Sequence, residues 1–187
     1  MRMSRDATAA TKRRILDAAA RMLRERGIAD TSIADVMQAA GMKPGGFYKH
    51  FGSKEDLVRQ AIGAAFEQRV ATFDATRAAE GETAAIDAYI ATYLSDAHVD
   101  HPGYGCPVAA FGADAGRERE AYAGDFHEGM EQLVERLGGA DAATREAAIR
   151  RLCLMVGAVV VARAAGGLPL RAEALAAAAR SVTAAPT

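Results

Sequence analysis

Residues 11–62 read TKRRILDAAARMLRERGIADTSIADVMQAAGMKPGGFYKHFGSKEDLVRQAI, and the spacing of apolar residues and stops in this stretch decides the fold. Ile15, Ala18, Ala19, Met22 and Leu23 recur three and four residues apart, which gives one apolar helix face. Gly27 follows Arg24 and Arg26, a helix stop with cations near its negative C-terminal end. Ser32-Ile33-Ala34-Asp35 reads as a capping box opening a second helix, with Ile33, Val36, Met37 and Ala40 turned inward. Gly41 ends that helix. Pro44 sits where a first-turn proline is tolerated, and Phe47 and Phe51 lie four residues apart on a third helix. Gly52 stops it, and Ser53-Lys54-Glu55-Asp56 is another capping box, opening a long fourth helix. Three helices with a short turn about Gly41 between the last two make the layout of a helix-turn-helix DNA reader, in which one short helix enters the major groove.

The charge distribution agrees. Residues 1–57 hold eleven Lys/Arg against seven Asp/Glu, a net of +4, and the whole chain carries −1, so residues 58–187 carry −5. A basic head on an acidic body suits a protein whose N-terminus alone meets phosphate. An ordinary solvated helix face gives a similar excess, so the motif carries the argument.

Gly27, Thr31, Ile33, Ala34, Ala40, Gly41, Gly45, Tyr48, His50, Phe51, Ser53, Lys54, Glu55 and Leu57 stand in unbroken register with one family's pattern. The segment resembles the DNA-binding domain of the TetR family of transcriptional regulators. The likeness covers under a third of the chain and is highly specific. It implies a homodimer, usually a repressor, that leaves its double-stranded DNA operator when a small-molecule inducer binds the helical C-terminal domain. Two-fold symmetry makes that operator near-palindromic.

By this resemblance Tyr48 and His50 hold positions that touch phosphates, and Lys54 matches a phosphate contact at the start of the fourth helix. Thr31 and Ser32 lie at the second helix's N-terminus, where a hydroxyl and free N–H groups can meet a phosphate. Lys43, Pro44, Gly45, Gly46 and Lys49 occupy or adjoin the base-facing positions. A structural account uses the same residues: Tyr48 and His50 cover the small core, and Lys43 and Lys49 are simply solvated. Lys43 stands where relatives usually have a Ser or Thr cap, and Gly46 where they have a hydroxyl-bearing residue. Gly45 and Gly46 each destabilise the helix by about 1 kcal/mol relative to Ala. Lacking Cβ atoms, they permit close backbone approach to DNA.

With 187 residues and 50% apolar content, the chain can bury a sizeable core. The expected fold is all-α: a three-helix helix-turn-helix domain over residues 1–57, and a larger helical ligand-binding and dimerisation domain over 58–187. The N-terminus is polar and charged up to Ile15, without a signal-peptide pattern, and Cys106 and Cys153 make no disulfide framework. Both points favour a reducing cytoplasm. No cofactor is expected. An enzyme with Cys106 as nucleophile and His98, His101 or His127 as base is conceivable, but no nucleophile elbow, phosphate loop or paired-acid motif supports it. A structural protein that kept the head without binding DNA is the other class.

Beyond the head, the fourth helix is expected from Lys54 to about Ala79, burying Leu57, Ile62, Phe66, Val70 and Phe73. Gly81 breaks it, and Ile86, Tyr89, Ile90, Tyr93 and Leu94 pattern the next. A loop over 98–106 precedes a short helix from Pro107 to near Gly116. Tyr122, Phe126, Met130, Leu133, Val134 and Leu137 pattern another, stopped by Gly138 and Gly139. The run from Leu152 to Ala162 is apolar on every face and far short of the about 20 residues a membrane span needs, so no membrane contact is expected. A helix buried on all sides fits better, its cover completed by a two-fold mate together with the Ala-rich 171–180 helix. The inducer pocket is expected among the body helices, with Phe66, Tyr89, Tyr93, Tyr104, Phe111, Tyr122, Phe126, His127 and Met130 as candidates, most of them plain core. Cys106 has two readings: packing near the pocket entrance, or sensing electrophiles and oxidants as a thiolate favoured by a helix N-terminus, with His98 and His101 nearby. Cys153, in the apolar run, is expected to be inert. His98, His101 and Cys106 at irregular spacing are weak evidence for a metal.

Overall fold

The computed structural model describes residues 2–183, and among these it contains helices and turns with no strand. Helix α1 (Arg2–Arg26) buries Ile15, Ala18, Ala19, Met22 and Leu23, and Gly27 leaves it at φ 81°. In α2 (Ile33–Ala39) the Ser32 hydroxyl accepts from the Asp35 N–H at 3.1 Å, which satisfies one free donor of the first turn. Val36 and Met37 are buried, while Ile33 is half-buried. The chain reverses at Gly41, φ 72°, a left-handed conformation that glycine adopts without strain.

The expected third helix is a 3₁₀ segment, Pro44–Lys49. Two adjacent glycines weaken α-helical propensity there, and short 3₁₀ turns are the common outcome. Phe47 is fully buried and stacks on Phe51, ring centroids 5.5 Å apart. That pair seats the turn on the head's core.

Helix α3 (Lys54–Glu80) runs one residue past its expected end. Ser53 Oγ accepts from the Asp56 N–H at 3.0 Å, and the Asp56 carboxylate accepts from the Gly52 N–H at 2.9 Å. The Gly52 N–H, and next the Gln60 side chain donating at 2.7 Å, hold the Asp56 carboxyl below its usual range. Leu57, Val58, Ala61 and Ile62 complete the head, while Phe66, Val70 and Phe73 belong to the body. The expected division after residue 57 therefore falls inside α3, and one contiguous apolar core extends from Ile15 to Val182. A stiff helix, rather than a linker, joins head to body.

The body comprises α4 (Glu82–Tyr93), α5 (Asp96–Asp100), a 3₁₀ turn (Pro102–Tyr104), α6 (Pro107–Arg117), α7 (Arg119–Val134), α8 (Ala142–Ala165) and α9 (Leu170–Thr183). Helix α7 lies against α3 at Gly129, where a Cβ would overlap the Phe66 ring. The stretch expected as a loop over 98–106 is instead the end of α5 followed by the 3₁₀ turn, which packs against α1. Helices α8 and α9 pack together. Within the apolar run, Leu152, Met155, Ala158, Val159 and Ala162 are buried, whereas Cys153, Leu154, Gly157, Val160 and Val161 are exposed. The expected burial on all sides thus does not occur within one protomer, and Cys153 is exposed rather than enclosed. No described helix is long and apolar enough to cross a membrane.

Candidate nucleic-acid interface

The segment expected to enter the groove is outwardly bare. Lys43, Pro44, Gly45 and Lys49 are exposed, Gly46 is half-buried, and Tyr48 is 76% exposed despite its size. Only the edge of Tyr48 is used internally, in an edge-on contact with Phe47 at 5.1 Å. A tyrosine left so open fits a DNA-contact role better than a core cover. Neither Gly45 nor Gly46 has positive φ. A Cβ at Gly45 would meet nothing within 4 Å, and one at Gly46 would meet only the Met37 methyl at 3.6 Å. The chain's own packing therefore does not require either glycine.

Flanking this turn are two helix starts. Ser32 is exposed at the first, with its hydroxyl engaged to Asp35. Thr31 is placed otherwise than expected: it is 2% exposed and its hydroxyl donates to the Gly27 carbonyl at 2.7 Å. Its polar atom closes the preceding turn and is not presented at the helix start, where Ser32 is the exposed hydroxyl. Lys54, half-buried, opens α3. His50 is half-buried too, and its Nδ1 has no hydrogen-bond partner among the described residues. Lys12, which the sequence reading did not single out, holds its ammonium 5.4 Å from the Phe51 ring centroid. Its separation from Phe51 in sequence hid that contact.

The body candidates divide into core and surface. Phe66, Phe111 and Phe126 pack edge-on, with centroids 5.5 and 5.3 Å apart, and Phe73, Tyr89 and Tyr93 continue the aromatic row. Tyr122 is buried and Met130 half-buried. His127 lies on the surface, 3.9 Å from Glu131, outside this aromatic group. Tyr104 is 70% exposed, at the mouth of a cleft between head and body.

Cys106 is fully buried rather than placed at a pocket entrance. Its N–H donates to His98 Nε2 at 2.9 Å, and His98 Nδ1 lies 2.7 Å from the Tyr93 carbonyl. Those partners define a neutral imidazole with its proton on Nδ1. Burial drives its pKa down to about 4 against the raising effect of the Tyr93 carbonyl. A neutral His98 does not stabilise a thiolate by charge, and both its nitrogens are already used, which removes it from the metal set considered above. Arg163, reaching in from α8, donates to the carbonyls of His98 and Ala109 at 2.9 and 3.0 Å and fixes this segment.

A tight glycine turn, an exposed 3₁₀ segment and a capped helix start that carries Lys54 define the class: a helix-turn-helix DNA-binding domain carried on an all-helical body. Residues 15–61 match the family model described as bacterial regulatory proteins, tetR family. In that segment, the head, the chain carries the family's pattern. It is 34% identical over 110 residues to an uncharacterized HTH-type transcriptional regulator, Rv0196, of Mycobacterium tuberculosis (strain H37Rv), a match covering 58% of this chain and 55% of that protein. It is 42% identical over 48 residues to the HTH-type transcriptional repressor KstR2 of Rhodococcus jostii, covering 26% and 24%. These matches span about half or less of the relatives' lengths. Across nearly the whole chain, the crystal structure of a TetR transcriptional regulator from Legionella pneumophila superposes with TM-score 0.73 at 19% identity, covering 91% and 96%. Each of these three is named as a transcriptional regulator or repressor.

Proposed function

We propose that this chain is a homodimeric repressor that binds a near-palindromic operator in the cytoplasm and releases it when a small molecule binds the helical body. The carrying observation is the turn Pro44–Lys49, with Tyr48 and both lysines displayed outward while Phe47 and Phe51 anchor it. Phosphate contacts from Ser32, Tyr48, His50 and Lys54 orient the head, and Lys43 and Lys49 reach base edges beside a backbone kept close by Gly45 and Gly46.

Two features support the dimer and the release. Leu154, Val160 and Val161 expose apolar surface on α8, and the groove between α8 and α9 is lined by Cys153, Gly157 and Ala177, a face that a two-fold mate would cover. The shared helix α3 transmits any displacement of the body to the start that carries Lys54. A mobility-shift titration on the chain's own upstream DNA tests the reading. Salt-sensitive binding with one preferred near-palindromic site is the expected result, and binding to no duplex at low salt would overturn it.

A further inference from the structure

Between head and body lies a cleft of about 610 Å³, walled by α1, α3, the end of α2 at Ala39 and Ala40, and Tyr104. Four arginines line it, Arg14, Arg21 and Arg24 on α1 and Arg69 on α3, together with the Asp17 carboxylate. Arg24 is only 4% exposed. It donates to Gln68 Oε1 at 2.7 Å and to the Ala65 carbonyl at 3.4 Å, both neutral acceptors. The Nε atoms of Arg21, Arg24 and Arg69 are all buried without a hydrogen-bond partner among the described residues.

Arg13, Arg59, Arg136, Arg145 and Arg171 each pair with a carboxylate within 4 Å, whereas among the described residues Arg21, Arg24 and Arg69 form no such pair; Arg69 lies 5.1 Å from the Tyr89 ring centroid. Asp17 accepts from Arg13 and Gln68, and the Glu25 carboxylate lies beside Gly103 of the 3₁₀ turn; both carboxylates act on Arg24 through space without an ion pair to it. Burial, followed by the repulsion of Arg69, lowers the Arg24 pKa to about 10. Sequestered positive charge of this kind is unfavourable until an opposite charge joins it.

We propose that the cleft binds a small oxyanion, the carboxylate or phosphate group of the effector, gripped by Arg21, Arg24 and Arg69. Guanidinium forks suit planar carboxylates and phosphates. A second cleft of about 480 Å³ shares Arg69 and Tyr104 and continues past Thr92, Ala97 and His101, giving room for the remainder of the molecule. An anion here bridges α1 and α3 beside the end of α2, so its binding energy acts on the angle of the reading head. The coupling rests on the regulator reading above, whereas the anion site stands without it.

The test uses the full chain in chloride buffer at constant ionic strength, titrated separately with inorganic phosphate and with benzoate. At least one probe should raise the melting temperature saturably, and Arg69→Gln and Arg21→Gln should each weaken that response about tenfold or more. Response to phosphate alone assigns a phosphoryl effector, and response to benzoate alone a carboxylate. Circular dichroism confirms folding, and Arg21→Gln carries the test if Arg69→Gln misfolds. A saturable response that both variants retain, or none from either probe, overturns the site. Operator binding measured without probe is independent, so its loss refutes the regulator and leaves the anion site standing.

Discussion

Lys54→Ala separates DNA binding from folding, because the two respond in opposite directions. Lys54 is the first residue of α3, directly after the Ser53 cap. A cation at that end opposes the helix dipole, an unfavourable interaction of about 0.3–1 kcal/mol, and alanine is the better helix former. On folding alone the variant should be more stable by a few tenths of a kcal/mol. On DNA the same change removes one phosphate contact per protomer, two per dimer. Each contributes about 0.9 to the slope of log K against log salt, so the slope should flatten by about 1.8. Between about 50 and about 200 mM salt, the unmutated dimer should therefore lose about tenfold more affinity than the variant. Fluorescence anisotropy on operator and scrambled duplexes across a salt series, run beside thermal melts, reads both effects. An unchanged slope, or a flattening confined to the operator duplex, refutes the phosphate role, since phosphate contacts are blind to sequence.

Three further outcomes follow from particular contacts. Val161→Glu should yield a folded monomer by light scattering at micromolar concentration, because Val161 is 41% exposed in the protomer and its charge is buried only across the proposed dimer face; a dimer that survives moves the interface elsewhere. His98, held near pKa 4 against an ordinary 6.5, binds a proton more readily when unfolded, so stability should fall as pH drops from about 6.5 to about 4, by on the order of 3 kcal/mol. Carboxylates with depressed pKa, such as Asp74, lose their contribution only below the ordinary carboxylate value of 3.8, so urea unfolding at several pH values separates the two windows. Ser53→Ala should lower stability by about 1 kcal/mol through loss of the cap to Asp56, with DNA binding impaired only in proportion to head unfolding; a change below about 0.3 kcal/mol in chemical denaturation contradicts the capping bond.

Local chemistry explains why so much of the head was legible from residue order. Caps, glycine stops and three-to-four apolar spacing act within one or two helical turns, so Ser32, Gly41, Ser53 and Gly81 mark real boundaries. Periodicity likewise selected the buried positions of α3, from Leu57 to Phe73. What spacing could not settle was the exact helix type at Pro44–Lys49, where two glycines left α and 3₁₀ geometry close in energy. Tertiary packing alone decided the rest. It turned Thr31 inward onto Gly27, enclosed Cys106 beneath His98, and left Cys153 and Val161 outside on α8. It also set Arg21 and Arg24 opposite Arg69, more than forty residues away, each with its Nε buried and without a hydrogen-bond partner among the described residues. A helix pattern states which face is apolar, but which distant charge arrives at a given face depends on how the helices cross. That crossing is chosen by the whole core, which here runs unbroken from head to body through α3.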